Sequence, residues 1–358
     1  EVVLYNVFET LTKIQPDGSV QPLLAESWQA SPDQRVWTLK LRQNVRFHNG
    51  EPFTAATVKY AFERAATPDS TNKDKNFFAD FERIETPDTY TVVLHGRNPQ
   101  PYLPFLLGQA TAIMVEPKTA AGNNIQPVGT GPYRLVEWQK GASLTLEKWE
   151  DYRSSADIAM QRVVFRFISD TAAQSAALLA GDIDLFPRAQ VARNLQQFRQ
   201  NNRFQVLVGA SRAKTIMAMN NGRKPLNDVR VRQAISAAID RKAVIQAAVD
   251  GLGVPIGSFY VPGAPGYIDT TAISPYEPEK AKALLKQAGI EQLTLTMKLP
   301  PPPYARQAGE AIAAMLAQVG ITVRMVNVEW AQWLSQVYGG PKDYDLTIIS
   351  HVEPFDLG

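Results

Sequence analysis

Apolar residues between positions 225 and 251 recur every three or four positions, which is the spacing of one face of a helix. Asp228 lies where an N-cap belongs, and Gly251 supplies a stop at the other end. The pattern predicts two short helices that divide near Asp240 and pack by one face. The apolar positions of that face are Val231, Ala234, Ile235, Ala238, Ile245 and Val249.

The same spacing predicts further helices, with small or polar residues at their ends. Thr54 is a predicted N-cap, while Gly181 and Gly320 end two other helices. The predicted ranges are 1–14, 54–66, 171–180, 306–319 and 331–338.

Alternation of apolar and polar residues, which is strict in residues 36–41, predicts strands. The other predicted strands are 46–48, 89–94, 133–138, 143–148, 163–168, 183–186, 293–299, 322–328 and 346–350. Strands and helices alternate over residues 163–186 and again over 293–350. This order predicts α/β structure with a partly parallel sheet.

Length and composition limit the number of lobes and the classes of function that are open to this chain. The 358 residues exceed the size at which single cores stop growing, so two or three lobes are expected. There are no cysteines and three histidines, which excludes thiolate catalysis, disulfides and zinc ribbons. The 37 basic and 35 acidic residues are interspersed, which disfavours a nucleic-acid partner. No apolar run approaches a membrane span, and no signal peptide is visible.

Gly129, Thr130 and Gly131 invite comparison with a phosphate-binding loop. The spacing of such a loop is absent, and Pro132 follows, which ends any helix. A tight turn that opens a hairpin is the favoured interpretation.

Asp182 and Asp184 form a possible carboxylate pair for a metal or for acid–base chemistry, since residues two apart on a strand share a face. Asp182 directly follows the helix-stopping Gly181. A role in the turn is therefore favoured over a catalytic one.

Aromatic and acidic residues near the C-terminal end suggest a ligand site. Trp330 and Trp333 lie three apart in a predicted helix, where core packing and stacking on a ligand are both open interpretations. Residues 351–356 directly follow the apolar strand 346–350, at the end of a strand where α/β sheets generally bind ligands.

Residues 225–244, PLNDVRVRQAISAAIDRKAV, resemble a P-x-x-D-x-R-V-R-x-A-[LI]-x-x-A-I-D-R segment. This segment is typical of the extracytoplasmic solute-binding proteins of ABC importers, in the peptide/nickel-binding group known as family 5. Further blocks resemble the family in the right order, and they occupy residues 17–64, 128–153, 178–185, 276–289 and 316–334. The likeness therefore covers nearly the whole chain.

The resemblance implies an α/β, periplasmic-binding-protein-like fold of two lobes around a cleft, with mixed sheets and an extra β-rich subdomain. Residues 1–14 and 126–219 are expected in the first lobe, 15–125 in its β-rich subdomain and 220–358 in the second lobe. In the family the chain returns to the first lobe at its C-terminus. The resemblance therefore implies that the fold is C-terminally incomplete here.

The resemblance further implies a receptor rather than an enzyme. Such a receptor captures a small solute between its lobes and presents it to a membrane ABC permease. It is expected to be a periplasmic or otherwise extracytoplasmic monomer that uses no cofactor or metal and binds no nucleic acid. The rival interpretation is a hydrolase that uses scattered carboxylates such as Asp182, Asp184 and Glu353.

Peptide receptors of this family hold the ligand's amino group with an acidic residue after the strand that corresponds to 346–350. Glu353 and Asp356 occupy that position, so a peptide-like or other amino-bearing ligand is expected. The nickel-binding branch places an arginine within a segment that corresponds to 107–114, and this chain has none there. Opines and oligosaccharides stay open. The predicted ligand contacts are Phe77, Phe78, Trp333, His351, Glu353, Phe355 and Asp356.

Overall fold

In the computed structural model, which describes residues 2–187, 195–209, 211–264 and 266–352, the strands form four separate sheets. The chain divides into two compact units, Glu1–Ser169 and Asp170–Gly358. The lobe boundary expected near residue 219 stays a prediction. It comes from the resemblance to the family, whereas the division after Ser169 reflects only which residues pack compactly together.

The first unit holds three antiparallel sheets. Strands β1 and β2 form a ribbon, β3, β4, β6 and β5 form a sheet in that order, and β7, β8 and β9 form the third. The strands are β1 Thr12–Ile14, β2 Val20–Pro22, β3 Ala25–Ala30, β4 Val36–Leu41, β5 Phe81–Asp88, β6 Thr91–Gly96, β7 Tyr133–Gln139, β8 Ser143–Lys148 and β9 Arg162–Arg166. The helices are α1 Ala55–Ala66, α2 Lys75–Ala79 and α3 Leu103–Leu106, with 3₁₀ turns at Ala110–Ala112, Ala120–Gly122 and Ser155–Asp157.

The second unit is built on one mixed sheet in the order β10–β13–β11–β12. Strands β11, β12 and β13 run parallel, and β10 pairs antiparallel with β13. The strands are β10 Ala213–Met219, β11 Leu293–Leu299, β12 Ile321–Asn327 and β13 Leu346–Val352. The helices are α4 Thr171–Ala180, α5 Leu195–Arg199, α6 Val229–Ala237, α7 Arg241–Val249, α8 Pro278–Gln287, α9 Pro303–Ala317 and α10 Trp330–Trp333, with a 3₁₀ turn at Thr271–Ile273 and a π-helical turn at Leu334–Tyr338.

Helices with clear end signals are confirmed. Thr54 precedes α1, where its backbone N–H donates to the hydroxyl of Thr57 at 3.0 Å. Asp228 and Asp240 cap α6 and α7: the Asp228 carboxylate accepts from the backbone N–H of Arg230, and that of Asp240 accepts from the N–H groups of Lys242 and Ala243. Gly181 ends α4 at φ 83°, a conformation that glycine adopts without strain. These ends depend on contacts within one turn, which a local pattern records.

The predicted N-terminal helix over 1–14 is wrong. Val7, Phe8 and Leu11 are buried as a helical spacing suggests, but the backbone forms turns and then strand β1. The reason is a long-range contact: the N–H of Gly131 donates to the carbonyl of Val7 at 2.9 Å, and the N–H of Tyr133 donates to that of Asn6 at 2.9 Å. Hydrogen bonds to a distant segment replace those of a helix.

Two predicted strands are also absent. Residues 46–48 contribute one isolated bridge, from Arg46 to Pro52, and residues 183–186 form no strand. The face that Asp182 and Asp184 were to share is therefore missing. The N–H of Asp182 donates to the carbonyl of Ala177 at 2.9 Å, which confirms its role in the turn after α4.

Among the described residues, no helix is long and apolar enough to cross a membrane.

Candidate ligand site

The candidate site lies at the carboxyl end of β13, where the antiparallel partner β10 begins. Lys214 is directly opposite His351, and Ile216 is directly opposite Ile349. Because side chains two apart on a strand point to the same side, these four share one face of the sheet. Strands β11, β12 and β13 run in the same direction, so their carboxyl ends share the edge where α/β sheets bind ligands.

Lys214 is the buried cation of this face, with 5% of its surface exposed. In the described part of the chain its ammonium makes no hydrogen bond or ion pair. His351 is partly exposed and does take part in polar or ring contacts. The end of the face is therefore basic, with one residue that is enclosed and one that is accessible.

Trp333 packs under the same face but nearer the start of β13. It is 4% exposed, and its indole N–H donates to the hydroxyl of Thr347 at 3.1 Å. Its ring stacks on Tyr338 at a centroid distance of 5.9 Å and meets Trp330 edge-on at 5.9 Å. Thr347 precedes His351 by four residues, a distance of about 13 Å along a strand. The structure thus gives Trp333 a packing role, and its contact with a ligand stays a prediction.

Trp330 is the accessible member of the tryptophan pair, with 42% of its surface exposed. The helical turn that separates it from Trp333 continues into the π-helical turn Leu334–Tyr338, an irregularity that often lies at functional sites. The spacing of the two tryptophans did not show which of them is buried.

Phe77 and Phe78 belong to the first unit. Phe78 is 2% exposed and packs in the core against Phe62, with ring centroids 5.3 Å apart. Phe77 is partly buried and contacts Phe78 and Phe81 edge-on. Neither ring is presented as an open stacking platform, so both assignments as ligand contacts stay predictions. The other predicted contacts, Glu353, Phe355 and Asp356, lie outside the described residues.

The first unit holds a buried polar cluster around Glu9, which is 2% exposed. Its carboxylate accepts two hydrogen bonds from the guanidinium of Arg153, one from the hydroxyl of Thr130 and one from the phenol of Tyr152. Burial, together with the charge of Glu9, raises the pKa of Tyr152 to about 12. Burial opposes the charge of Arg153, but the hydrogen bonds and charge of Glu9 outweigh it and raise the pKa of that guanidinium.

His48 fixes the turn that carries Gly129 and Gly131. Its Nδ1 accepts from the N–H of Gly129 at 3.3 Å, and its Nε2 lies 2.9 Å from the carbonyl of Gly131. The second contact requires a proton on Nε2, so this pairing describes the neutral ring. Burial lowers the pKa of His48 to about 4, the hydrogen bond to Gly131 opposes that shift, and the charge of Arg134 adds to it.

The glycine turn is closed by backbone packing, as the preference for a hairpin turn over a phosphate loop anticipated. A Cβ atom at Gly129 would lie 2.0 Å from the carbonyl oxygen of Val7, and one at Gly131 would lie 2.5 Å from that of Asn6. These contacts leave no space for a side chain at either position. Close approach of two backbone segments therefore explains the two glycines.

The sequence contains a signal for Lys214 that none of the predicted strands includes. A lone lysine stands in the otherwise uncharged segment 213–219, but that segment was not assigned as a strand. The pairing of Glu9 with Arg153 has no comparable local signal, because its partners are 144 residues apart in sequence.

The chain is similar in sequence to known binding proteins for glutathione and dipeptides. The glutathione-binding protein GsiB of Pectobacterium atrosepticum is 29% identical over 350 residues, which cover 95% of this chain and 67% of that protein. The dipeptide-binding protein of Escherichia coli is 27% identical, over 90% of this chain and 66% of its own length. This chain thus spans about two thirds of the length of these relatives.

Solved structures of binding proteins are also similar to this chain over nearly its whole length. The binding protein AgaA of A. tumefaciens R10, in complex with agropinic acid, is 29% identical with a TM-score of 0.80, over 97% of this chain and 72% of that one. DppA of Helicobacter pylori, in complex with the peptide STSA, is 25% identical with a TM-score of 0.84, over the same shares. The α/β periplasmic-binding-protein fold is therefore confirmed.

The model of the bacterial extracellular solute-binding proteins, family 5 (middle region), matches residues 19–353, which is most of the chain. The match confirms the family suggested by the segment 225–244. This chain belongs to the family 5 bacterial extracellular solute-binding proteins.

Proposed function

We propose that this chain captures a small amino-bearing solute, such as a peptide, and presents it to the membrane permease of an ABC importer. The observation that carries the proposal is the family match over residues 19–353. The relatives named above bind glutathione and dipeptides, and the solved neighbours hold agropinic acid and a peptide. These ligands define the panel against which the chain is to be tested.

The proposed contact region is the carboxyl end of β13. His351 lies there on the same face as Ile349, and Glu353 and Asp356 follow within five residues in the sequence. A carboxylate pairs well with an ammonium group, since charge-assisted hydrogen bonds are the strong ones. We therefore propose that Glu353 or Asp356 holds the amino group of the ligand.

We also propose that the protein acts by binding alone, as a monomer, outside the cytoplasm and without a nucleic-acid partner. The support is that the family consists of extracellular binding proteins and that the chain carries a net charge of only +2 with both signs interspersed. Gel filtration with light scattering tests the monomer: a stable dimer contradicts it.

The hydrolase alternative loses its structural basis at Asp182 and Asp184, because residues 183–186 form no strand that would align the two carboxylates. Among the described residues, no group of three or more acidic, histidine or cysteine side chains could hold a metal ion. Incubation with glutathione and dipeptides, followed by mass spectrometry, tests whether the protein hydrolyses these compounds. The expected outcome is unchanged ligand, whereas accumulating products would favour a hydrolase.

The experiment that tests the proposal is native mass spectrometry of the full-length protein from its source, followed by calorimetry with the panel. We expect one copurified small molecule with an amino group, and binding of at least one panel member. If the copurified molecule lacks an amino group, or if only a neutral sugar binds, the proposed ligand class is wrong.

A further inference from the structure

A pocket of about 570 Å³ lies in the second unit, at the end of the sheet where β13 begins. One wall is the loop that follows β10, and the other is the segment that joins the π-helical turn to β13. Strand β13 is seven residues long, so this end lies about 20 Å from the proposed ligand region at its carboxyl end. The pocket is therefore a separate site. Its polar side chains are those of Asn220, Arg223, Gln336, Lys342 and Asp343.

Asn220 fixes the two walls to each other. Its backbone N–H donates to the carbonyl of Asp345 at 2.9 Å, and its side-chain amide donates to the carbonyl of Lys342 at 2.8 Å. These bonds hold Lys342 at φ 55°, a conformation that residues other than glycine seldom adopt. The same segment is held a second time, since the N–H of Asp343 donates to the carbonyl of Gln336 at 2.9 Å. The shape of the pocket is thus set by the protein itself.

The acceptor atoms of the pocket are already engaged. The Asp343 carboxylate accepts from the ammonium of Lys298 and lies 3.6 Å from the guanidinium of Arg223. The hydrogen bond and charge of Lys298 hold the pKa of Asp343 below its ordinary value, so this carboxylate stays ionised. The side-chain oxygen of Gln336 accepts from the same ammonium at 3.1 Å, and that of Asn220 accepts from a backbone N–H two residues on. An incoming cation would have to displace these partners.

The guanidinium of Arg223 is the main donor that the pocket leaves unused. Its ion pairs, to Asp343 at 3.6 Å and to Asp345 at 3.5 Å, are longer than hydrogen bonds, and it makes no hydrogen bond within the described chain. Its side chain is 45% exposed at the pocket wall. A guanidinium presents parallel N–H groups that match two oxygens of an oxyanion.

Two further donors line the other wall. The ammonium of Lys342 contacts the carbonyl and the ring of Tyr338, and an ammonium has three protons to donate. The amide nitrogen of Gln336 has no hydrogen-bond partner among the described residues. With Arg223 and Lys298, three cationic side chains face two carboxylates, so the pocket carries a net positive charge. Free donors and positive charge together suit an anion.

We infer that this pocket binds a phosphate group. A phosphate group offers at least three acceptor oxygens that point in different directions, so it can meet donors from both walls, whereas a carboxylate offers two oxygens in one plane. Sites for small molecules span about 300–1,000 Å³, so the pocket also has room for a small organic group attached to the phosphate. The inference does not depend on the proposed function.

Calorimetry of the full-length protein with inorganic phosphate, at constant ionic strength, tests the inference. The wild type is expected to bind saturably, with a Kd of about 1 mM or below. Arg223→Gln should weaken binding by about tenfold or more, the usual effect of losing a hydrogen bond to a charged group. Arg306→Gln is the matched control and should leave the affinity unchanged. Arg306 is exposed on α9, which packs against the opposite face of the sheet from the π-helical turn.

Asp343→Asn separates phosphate binding from damage to the fold. It removes the carboxylate that competes for Arg223, so phosphate should bind about threefold more tightly, a gain that a disrupted pocket cannot produce. Arg223→Lys keeps the charge without the planar fork and should bind with intermediate affinity. The inference is overturned if the wild type shows no saturable binding, if Arg223→Gln binds as the wild type does, or if Asp343→Asn binds more weakly. Each of these results leaves the proposed function intact.

Titrations with other probes identify the source of the phosphate group. Succinate that binds as tightly as phosphate would overturn the assignment to phosphate. Glycerol 3-phosphate that binds more tightly than inorganic phosphate would support a phosphorylated solute. Vesicles of phosphatidylglycerol and phosphatidylcholine in equal parts test a lipid headgroup, which is supported if they retain the wild type but not Arg223→Gln.

Discussion

The guanidinium of Arg153 donates to both carboxylate oxygens of Glu9, with N–O distances of 2.6 and 2.8 Å, although the two residues lie 144 positions apart. Glu9 belongs to the segment that was predicted as a helix, and Arg153 follows the hairpin of β7 and β8. The pair therefore joins the beginning of the first unit to its third sheet. Since both side chains are largely covered, each charge depends on the other.

Removal of one member should be far more harmful than removal of both. Glu9→Gln or Arg153→Met alone leaves an uncompensated buried charge, and should lower the free energy of unfolding by about 3–5 kcal/mol. The double variant Glu9→Leu/Arg153→Met should lose much less than the sum of the two. Urea denaturation measures all three.

Tyr152→Phe is the matched control, since it removes only the phenol hydrogen bond to Glu9 and should cost about 1 kcal/mol. Single variants that lie within 1 kcal/mol of the wild type would show that water compensates the exposed charge.

The stability of the first unit should fall in mild acid because of His48. The folded ring has a pKa of about 4 against the ordinary 6.5, so below pH 6.5 the unfolded chain takes up a proton that the folded chain does not. The stability that the neutral His48 ring contributes to the folded state is fully present above pH 6.5 and is lost as the pH falls towards 4. At 1.36 kcal/mol per pKa unit the loss is about 3 kcal/mol.

Urea denaturation at pH 7.5 and pH 4.5 checks this prediction. His48→Asn should be less stable than the wild type at pH 7.5, and the gap between the two should narrow at pH 4.5. A gap that stays constant across this range would exclude His48 as the origin of the acid sensitivity.

Gly129→Ala should destabilise the first unit by about 2–3 kcal/mol, since the new Cβ would meet the Val7 carbonyl at 2.0 Å and two backbone segments would have to separate. Gly122→Ala is the control, because no atom lies within 4 Å of its added Cβ. Thermal unfolding should distinguish the two. Equal unfolding temperatures would mean that the turn moves freely away from Val7.

The comparison of predicted with observed elements separates local from distant causes. The ends of helices α1, α4 and α6 were predicted because their caps at Thr54, Gly181 and Asp228 act within one turn, and the division between α6 and α7 was predicted near Asp240. The conformation of the N-terminal segment 1–14 was not predicted, because the residues that hydrogen-bond to Asn6 and Val7 lie more than a hundred positions away. A pattern of apolar spacing reports which residues are buried, but not which backbone conformation buries them.

The same limit applies to the candidate site. The sequence placed a strand before His351 and a helix around Trp333, and both are present. The pairing of β10 with β13 that brings Lys214 to His351 joins segments far apart in the chain, so the lysine carried no visible meaning until the register was known. The sequence likewise did not show that Trp333 is buried and Trp330 exposed.

Glu353→Gln should weaken binding of Met-Leu and glutathione by about 1.5–3 kcal/mol, the usual contribution of a hydrogen bond to a charged group. The acetylated form of Met-Leu, which lacks the amino charge, should bind equally to the wild type and the variant. Calorimetry of the full-length protein measures both. If Glu353→Gln leaves Met-Leu unaffected while Asp356→Asn weakens it, the amino anchor is Asp356.

The last prediction separates packing from ligand contact at the two tryptophans. Trp333→Ala should cost about 3–5 kcal/mol of stability, because the ring is 4% exposed and belongs to a buried cluster with Val337 and Ile349. Trp333→Phe removes mainly the hydrogen bond to Thr347 and should cost about 1 kcal/mol. Trp330→Ala changes a half-exposed ring and should alter the stability little.

Affinity for Met-Leu, measured on the folded variants, then assigns the roles. If a tryptophan stacks on the ligand, Trp330→Ala should weaken binding while its unfolding temperature is unchanged, since Trp330 is the ring with free surface. Trp333→Phe preserves the aromatic packing and should keep the affinity of the wild type. A loss of affinity in Trp333→Phe at unchanged stability would instead show that the indole of Trp333 turns out of its hydrogen bond with Thr347 to meet the ligand, and that the buried position is the ligand-free one.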